Sequence, residues 1–256
     1  MVGAQSFETS LQMDRTSGNL RHQSLELNNL GAIYSLLGNY AQARRHLDDG
    51  LRVSRDAGRR DLEASMLVNL ASVANLQGDD ASTLAYANKA HEVAAACGQR
   101  DLAAYARLVG GHAELALGRF AFAAQAYGQS RDMLLELQMR RQQVLDPVAG
   151  LARVALAQND VPAALEQVEL ILAHMAAGGN FDGTEEPLRL PLTCFNVLRA
   201  ASDSRADEVL ANAYAELMKQ AERITDMPAR HGFLHNVPHN REIVAAWSQR
   251  AIAQHA

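Results

Sequence analysis

Two cysteines, two lysines and a single tryptophan in 256 residues set the first limits on this chain. Cys97 and Cys194 cannot build a disulfide framework, and each sits in an apolar stretch where a thiol behaves as a small hydrophobe, so a reducing cytoplasm is the expected compartment. Only Lys89 and Lys219 among the 24 basic residues are lysines, the formal net charge is -5, and no basic stripe is dense enough to neutralise a phosphate backbone. Nucleic acid is therefore excluded as an expected partner. The doublets Arg44-Arg45, Arg59-Arg60 and Arg140-Arg141 read as helix ends, where cations are favoured. No run approaches the ~20 apolar residues that span a bilayer, and Met1 to Asn19 carry no apolar signal-peptide core, so neither a membrane nor export by that route is expected. Aromatic residues are 5% of the chain against 48% hydrophobic, with alanine throughout, which favours closely packed helices over sheet.

The length exceeds that of a typical single core, yet no boundary between two globular domains is visible, and a repeat array resolves this. Gly18, Gly58 and Gly98 are spaced by 40 residues, and so are Gly38, Gly78 and Gly118. A helix that closes through a left-handed residue places glycine there because a Cβ is penalised, so two glycine stops per period predict two helices per period. Between the stops lie amphipathic segments, with Leu27, Leu30, Ile33, Tyr34 and Leu37 on one helix and Tyr40, Ala43, Leu47 and Leu51 on the next.

The run Leu30-Gly31-x-x-Tyr34, followed by Gly38, Tyr40, Ala43 and Leu47, resembles the tetratricopeptide repeat. A second copy keeps Leu70, Ala71, Gly78 and Ala87 with Ala74 in place of the tyrosine, and a third keeps Gly111, Gly118, Phe120, Ala123 and Tyr127. A fourth runs through Leu151, Ala152, Asn159, Ala164 and Val168, with Asn159 at the turn-glycine position, since asparagine tolerates the left-handed conformation. The period exceeds the usual ~34 residues and lengthens each helix by less than a turn. In this it is similar to the longer repeats of kinesin light chains and of sensor domains in large bacterial regulators. The fold implied is all-α, a right-handed superhelical solenoid of antiparallel hairpins with a C-terminal capping helix.

Phe7, Leu11, Met13 and Gly18 lie one period before Leu47, Leu51, Val53 and Gly58, so residues 1–19 read as the second helix of a truncated repeat. That half repeat suggests the C-terminal part of a longer protein or a shortened reading frame. The tetratricopeptide-like repeats are expected over 20–177 and a connecting loop over 178–186, where Gly178-Gly179-Asn180-Phe181-Asp182-Gly183-Thr184 lacks the Gly-Lys-Ser/Thr ending of a phosphate loop. Residues 187–256 are expected to form a diverged fifth hairpin, from Pro187 to Ala200 and Ser204 to Ile224, and a capping helix from Arg241 to Ala253 that carries Trp247. The stretches Gly183 to Pro187 and Phe233 to Ile243 resemble the tails of large bacterial signalling proteins, in which an ATPase and a nucleotidyl cyclase or DNA-binding module precede the array.

No catalytic set emerges. His231, His235 and His239 recur every four residues, but Pro238 breaks the helix that a metal site would need, so no metal or cofactor is expected. His91, His112 and His174 stand alone on helices without a nucleophile at a useful spacing. The pairs Asp48-Asp49, Asp79-Asp80 and Glu185-Glu186 read as solvated turn or helix-end residues. The candidate site is the concave face lined by first helices: Asn28, Asn29 and Asn69, flanked by Ser65, Ser72, Asn75, Tyr105 and His112. Asn29 and Asn69 are one period apart, and an asparagine amide both donates to and accepts from an extended backbone. In the kinesin-light-chain-like repeats that Leu27-Asn28-Asn29-Leu30 resembles, this sequence has that role; the alternative is that these amides satisfy one another between helices. The expected function is non-catalytic capture of a peptide or helical segment. The second reading is a regulatory or sensor region of a bacterial signalling protein with an attached or adjacent ATPase or cyclase.

Overall fold

The protein is described here by a computed structural model covering residues 2–254; Met1, His255 and Ala256, at the outer ends of the first and last expected segments, lie outside the described residues. Among the described residues there are thirteen helices and no strand. They are α1 (Val2–Ser17), α2 (Leu20–Leu36), α3 (Tyr40–Asp56), α4 (Arg60–Leu76), α5 (Asp80–Ala96), α6 (Arg100–Ala116), α7 (Phe120–Glu136), α8 (Arg141–Ala157), α9 (Val161–Ala176), α10 (Arg189–Ala200), α11 (Ala206–Glu222), α12 (Met227–His235) and α13 (Pro238–Gln254).

Turn chemistry sets these lengths. Gly38 adopts φ +69°, and the next residue, Asn39, donates its N–H back to Tyr34 O at 2.8 Å, closing α2. Asn39 then starts α3, its side chain accepting the Gln42 N–H at 3.3 Å. Asp79 and Asp160 cap α5 and α9 in the same way. Where the register offers no glycine, Gln138 (φ 52°) and Asn159 (φ 60°) take the left-handed conformation instead.

Small residues let the helices of each pair close on one another. A Cβ on Gly31 would lie 2.4 Å from the Leu47 side chain, and Tyr127 of α7 fills the space left by Gly111 of α6 and Gly150 of α8. Leu27, Leu30, Leu47, Leu70, Leu108 and Leu134 are fully buried along the stack, each worth about 1.5–3 kcal/mol relative to exposure. First helices pack on the next first helix, α2 on α4, α4 on α6, α6 on α8 and α8 on α10, with no comparable contact among the second helices. The array therefore curves with its first helices inside.

The C-terminal region differs from the sequence expectation. The last helix begins at Pro238, earlier than Arg241, and α12 precedes it. Its start is marked by Asp226, which accepts the Ala229 N–H at 2.9 Å, with Pro228 in the first turn. A short terminal cap would leave the inner face open, but α12 and α13 return to the first hairpin. Asn236 donates through Nδ2 to Gly38 O at 3.2 Å, and the Tyr40 hydroxyl donates to Asn236 O at 3.2 Å. Two glycines permit this backbone approach: a Cβ on Gly232 would lie 2.6 Å from Leu37 O, and one on Gly38 would lie 2.6 Å from Gly232 O. The α2–α3 turn thus meets the α12–α13 corner, and the concave face becomes the wall of a cavity.

Candidate functional site

The cavity has a volume of about 450 Å³, in the range of sites that enclose small ligands. Helices α2, α4 and α6 supply one wall and α11, α12, α13 and residues 184–188 supply the other. Much of the lining is apolar, through Leu36, Leu76, Val109, Leu188, Phe233 and Val237.

The expected site residues separate into three groups. Asn69, Ser72, Asn75 and His112 line the cavity. Asn28 and Ser65 lie beside Asn69 in the α2–α4 contact, where Asn28 Oδ1 accepts from Asn69 Nδ2 at 2.8 Å and from Ser65 Oγ at 3.4 Å. For that trio the interhelical alternative describes the bonds present, although one edge of Asn69 still faces the cavity. Asn29 and Tyr105 are outside the cavity lining; the Tyr105 hydroxyl accepts from Gln143 Nε2 at 2.8 Å.

Sequence reasoning missed the charged cluster that underlies the cavity. Glu186, read as solvated, has a side chain only 16% exposed, and it is paired with Arg189 of α10. His112 Nε2 is 3.7 Å and His239 Nδ1 3.9 Å from its two carboxylate oxygens. Behind His112 stand Tyr127, whose hydroxyl is 2.7 Å from Nδ1, and Arg153 of α8, whose Nη2 is 3.4 Å from the same atom. A guanidinium has only donors, so Nδ1 of His112 is the acceptor and Nε2 carries the proton, directed at Glu186. Arg153 also donates to Thr193 Oγ1 at 3.1 Å and lies over the Tyr127 ring. Asp146, 6% exposed, accepts the Glu185 backbone N–H at 3.0 Å and pins the loop before α10.

Burial and charge order the protonation states. Burial, with the nearby Arg189, holds His112 well below the usual histidine range, and burial brings His239 down to about 4, so both imidazoles are neutral near pH 7. Burial is the largest influence on Glu186 and opposes its ionisation, but the charge and hydrogen bond of Arg189 together with the flanking His112 and His239 outweigh it and keep the carboxyl far below its ordinary value. Asp146 is pushed well up by burial. Glu185 is pushed up to about 7 by burial and by the adjacent Glu186, and among the described residues its carboxylate has no hydrogen-bond or ion-pair partner. Within the cluster the Arg153 Nε is buried without a hydrogen-bond partner, and no group of three acidic, histidine or cysteine side chains among the described residues could hold a metal ion.

One signal for this cluster was present in the sequence. Arg153 and Thr193 are one period apart, and Ser72 and His112 likewise, so a polar row recurs on the inner helices. Glu186 and Arg189 also have the i, i+3 spacing of a helix-start ion pair. The long-range partners, His239 and Asn236, could not be placed without the return of the C-terminal helices.

Residues 20–92 match the family model of the tetratricopeptide repeat. No curated protein sequence matches the chain. Among solved structures, BtubC (BKLC) from P. vanneervenii superposes with a TM-score of 0.63 at 17% identity, covering 88% of this chain and 92% of that one. A Rap protein complexed with Competence and Sporulation Factor gives 0.60 at 13% identity, over 97% of this chain and 77% of that one. The apo form of RapI gives 0.60 at 13% identity, over 98% and 72%. No described helix is long and apolar enough to cross a membrane.

Proposed function

We propose that this chain, a tetratricopeptide-repeat protein, is a non-catalytic binding module that holds the end of a short polypeptide segment inside the cavity formed by its first helices and its returning C-terminal helices. The repeats and the Rap-like fold support a protein-interaction role in general. The observation that carries the finer reading is a cavity of about 450 Å³ with unsatisfied polar atoms in its wall: Ser72 Oγ and Asn240 Oδ1 have no partner. Buried polar atoms without partners are uncommon in native proteins and are explained where a ligand supplies the bond. A cavity of this size suits a few residues rather than the full length of an extended peptide or a helix.

A binding role also fits the protonation pattern. The neutral His112 has its acceptor nitrogen occupied and Glu186 is locked by Arg189, so neither is available as a base in the cavity. That one similar structure was solved with a bound factor is consistent with an inner face of this kind accepting a ligand. The proposal places the contacts at Asn69, Ser72, Asn75 and His112, with Asn28, Asn29, Ser65 and Tyr105 holding the inner helices in register. It also places the chain in the cytoplasm of a bacterium.

The test is a fluorescence-polarisation screen of labelled synthetic peptides of three to six residues, repeated on the Asn69→Ala/Asn75→Ala variant. The reading expects saturable binding that falls by roughly tenfold or more in the variant at unchanged helicity. Equal affinity in both proteins would remove these residues from the site, and no binding by any peptide would overturn the reading.

A further inference from the structure

One carboxylate of the cavity wall lacks a counter-charge. Of the three acids in this region, Asp146 is pushed toward its neutral form by burial and Glu186 is paired with Arg189, while His112 and His239 are neutral, which leaves Glu185. Arg189 is engaged by Glu186, and Arg153 is turned to Thr193, His112 and the Tyr127 ring. Glu185 lies on the cavity side of this cluster and its carboxylate is met by nothing in the chain. Its backbone is fixed beside the cavity, since its N–H donates to Asp146 at 3.0 Å.

A second, independent observation asks for donors at the same place. Asn240 of α13 is 1% exposed and lines the cavity; its Nδ2 donates to Phe233 O at 2.8 Å, and its Oδ1 accepts nothing. Ser72 Oγ, across on α4, is also without a partner. An orphan amide oxygen, a hydroxyl able to donate or accept, and a carboxylate without a partner fit a ligand end that carries N–H groups and positive charge. Around them, Val109, Leu188 and Phe233 offer apolar surface to whatever bears that charge.

We infer that the cavity selects a ligand end bearing a protonated amine or guanidinium, whose charge pairs with the Glu185 carboxylate. This deepens the binding role proposed above and rests on it. The cation has two possible sources in a peptide, a free N-terminal ammonium and a Lys or Arg side chain, and the chemistry at Glu185 is the same for both. Binding also has a pH signature. Glu185 faces Glu186 from its own loop, Asp146 and Arg153 from α8, Tyr105 and His112 from α6, Arg189 from α10 and His239 from α13. Across pH 6 to 8 the histidines stay neutral, the arginines stay charged and Glu186 stays ionised, while Glu185, brought up to about 7, converts between neutral acid and carboxylate; Asp146 is also raised by burial, and the Glu185→Gln variant separates the two. A permanently charged guanidinium is therefore held more tightly as pH rises from 6 to 8.

The experiment uses the full chain and four sets of synthetic tetrapeptides of matched apolar sequence: free N-terminus with and without one Arg, and acetylated N-terminus with and without one Arg. Affinities are measured by isothermal calorimetry at pH 6 and pH 8 for the parent and for Glu185→Gln. The inference expects a charged set to bind at least tenfold tighter than the acetylated, Arg-free set, and expects that preference to shrink about tenfold or more in Glu185→Gln. For the Arg set with an acetylated N-terminus the preference should also be larger at pH 8 than at pH 6 in the parent and independent of pH in the variant, whereas a free α-amine loses part of its charge over the same range. Preference for the free-amine or for the Arg set identifies the source. Equal affinity for charged and neutral sets overturns the inference while leaving the binding role intact. A preference that survives unchanged in Glu185→Gln overturns the assignment to this carboxylate, and absence of binding by all four sets overturns the role along with it.

Discussion

Alanine at Gly38 and alanine at Gly78 occupy equivalent turns one period apart and should nevertheless cost the fold different amounts. Both glycines are left-handed, at φ +69° and +74°, so both variants pay the same conformational penalty of roughly 1–2 kcal/mol. They also share the small gain from a stiffer unfolded chain. The surroundings differ. A Cβ at Gly78 meets nothing within 4 Å, whereas one at Gly38 would lie 2.6 Å from Gly232 O and 2.8 Å from the Asn236 Cβ. A backbone oxygen on a helix cannot swing aside, so either the corner between α12 and α13 is displaced or the closure opens. Overpacking of this kind costs about 1–3 kcal/mol. Opening forfeits the Asn236–Gly38 and Tyr40–Asn236 hydrogen bonds, at about 0.5–1.5 kcal/mol each. Both routes predict that Gly38→Ala is less stable than Gly78→Ala by about 1–3 kcal/mol, a melting midpoint lower by roughly 2–10 °C for a chain of this size. Thermal and urea unfolding followed by circular dichroism read the difference directly, and the common penalty cancels in the comparison. Equal midpoints for the two variants would refute the closure as a contact that contributes to stability.

Three further perturbations probe the charged cluster. Arg189→Met leaves Glu186 without its counter-charge and should cost about 2–3 kcal/mol, below the ~3–5 kcal/mol of a sealed pair because the side chains are 16% and 23% exposed; adding Glu186→Gln should restore at least half in a urea double-mutant cycle. Tyr127→Phe removes the 2.7 Å bond to His112 Nδ1 and should cost about 1–2 kcal/mol in the same assay. Glu185 has its carboxyl raised from 4.5 to about 7, so folding favours its neutral form: that stabilisation is complete below pH 4.5 and disappears as pH rises through about 7. Glu185→Gln should therefore match the parent below pH 4.5 and become more stable than it by on the order of 1–3 kcal/mol above pH 7, measured by urea midpoints across that range.

Local physics made the all-helical array legible. Gly18, Gly38, Gly58, Gly78, Gly98 and Gly118 announce helix ends because the left-handed conformation is a property of the single residue, and all six adopt positive φ. Asn159 was readable for the same reason. Periodicity also directed attention to Asn69, Ser72, Asn75 and His112 on the inner helices, but it could not say whether their polar atoms face a ligand or one another. Asn28 shows why: its oxygen is taken by Asn69 and Ser65 from the next first helix, a pairing set by superhelical packing that spacing does not reveal. The Glu185-Glu186 pair was read as solvated because adjacency in a glycine-rich loop usually means that. Its burial depends on Asp146, Arg153, Arg189 and His239, which come from three helices; α8 and α10 stack as successive first helices, and His239 joins them only because the C-terminal region turns back. Gly232 likewise carried no signal by itself, since the need for a missing side chain arises from Leu37 O, almost two hundred positions away.

Hydrogen exchange on the Gly232→Leu variant tests most directly whether the two ends of the array meet. In the parent, amides around Gly38 should exchange more slowly than those around Gly78 and Gly118, whose turns have open space above them. Leucine at Gly232 should raise exchange both in α12 and around Gly38, while the Gly78 and Gly118 turns stay as they were. A response confined to α12 and its immediate neighbours, with the Gly38 turn unchanged, would contradict the closed cavity.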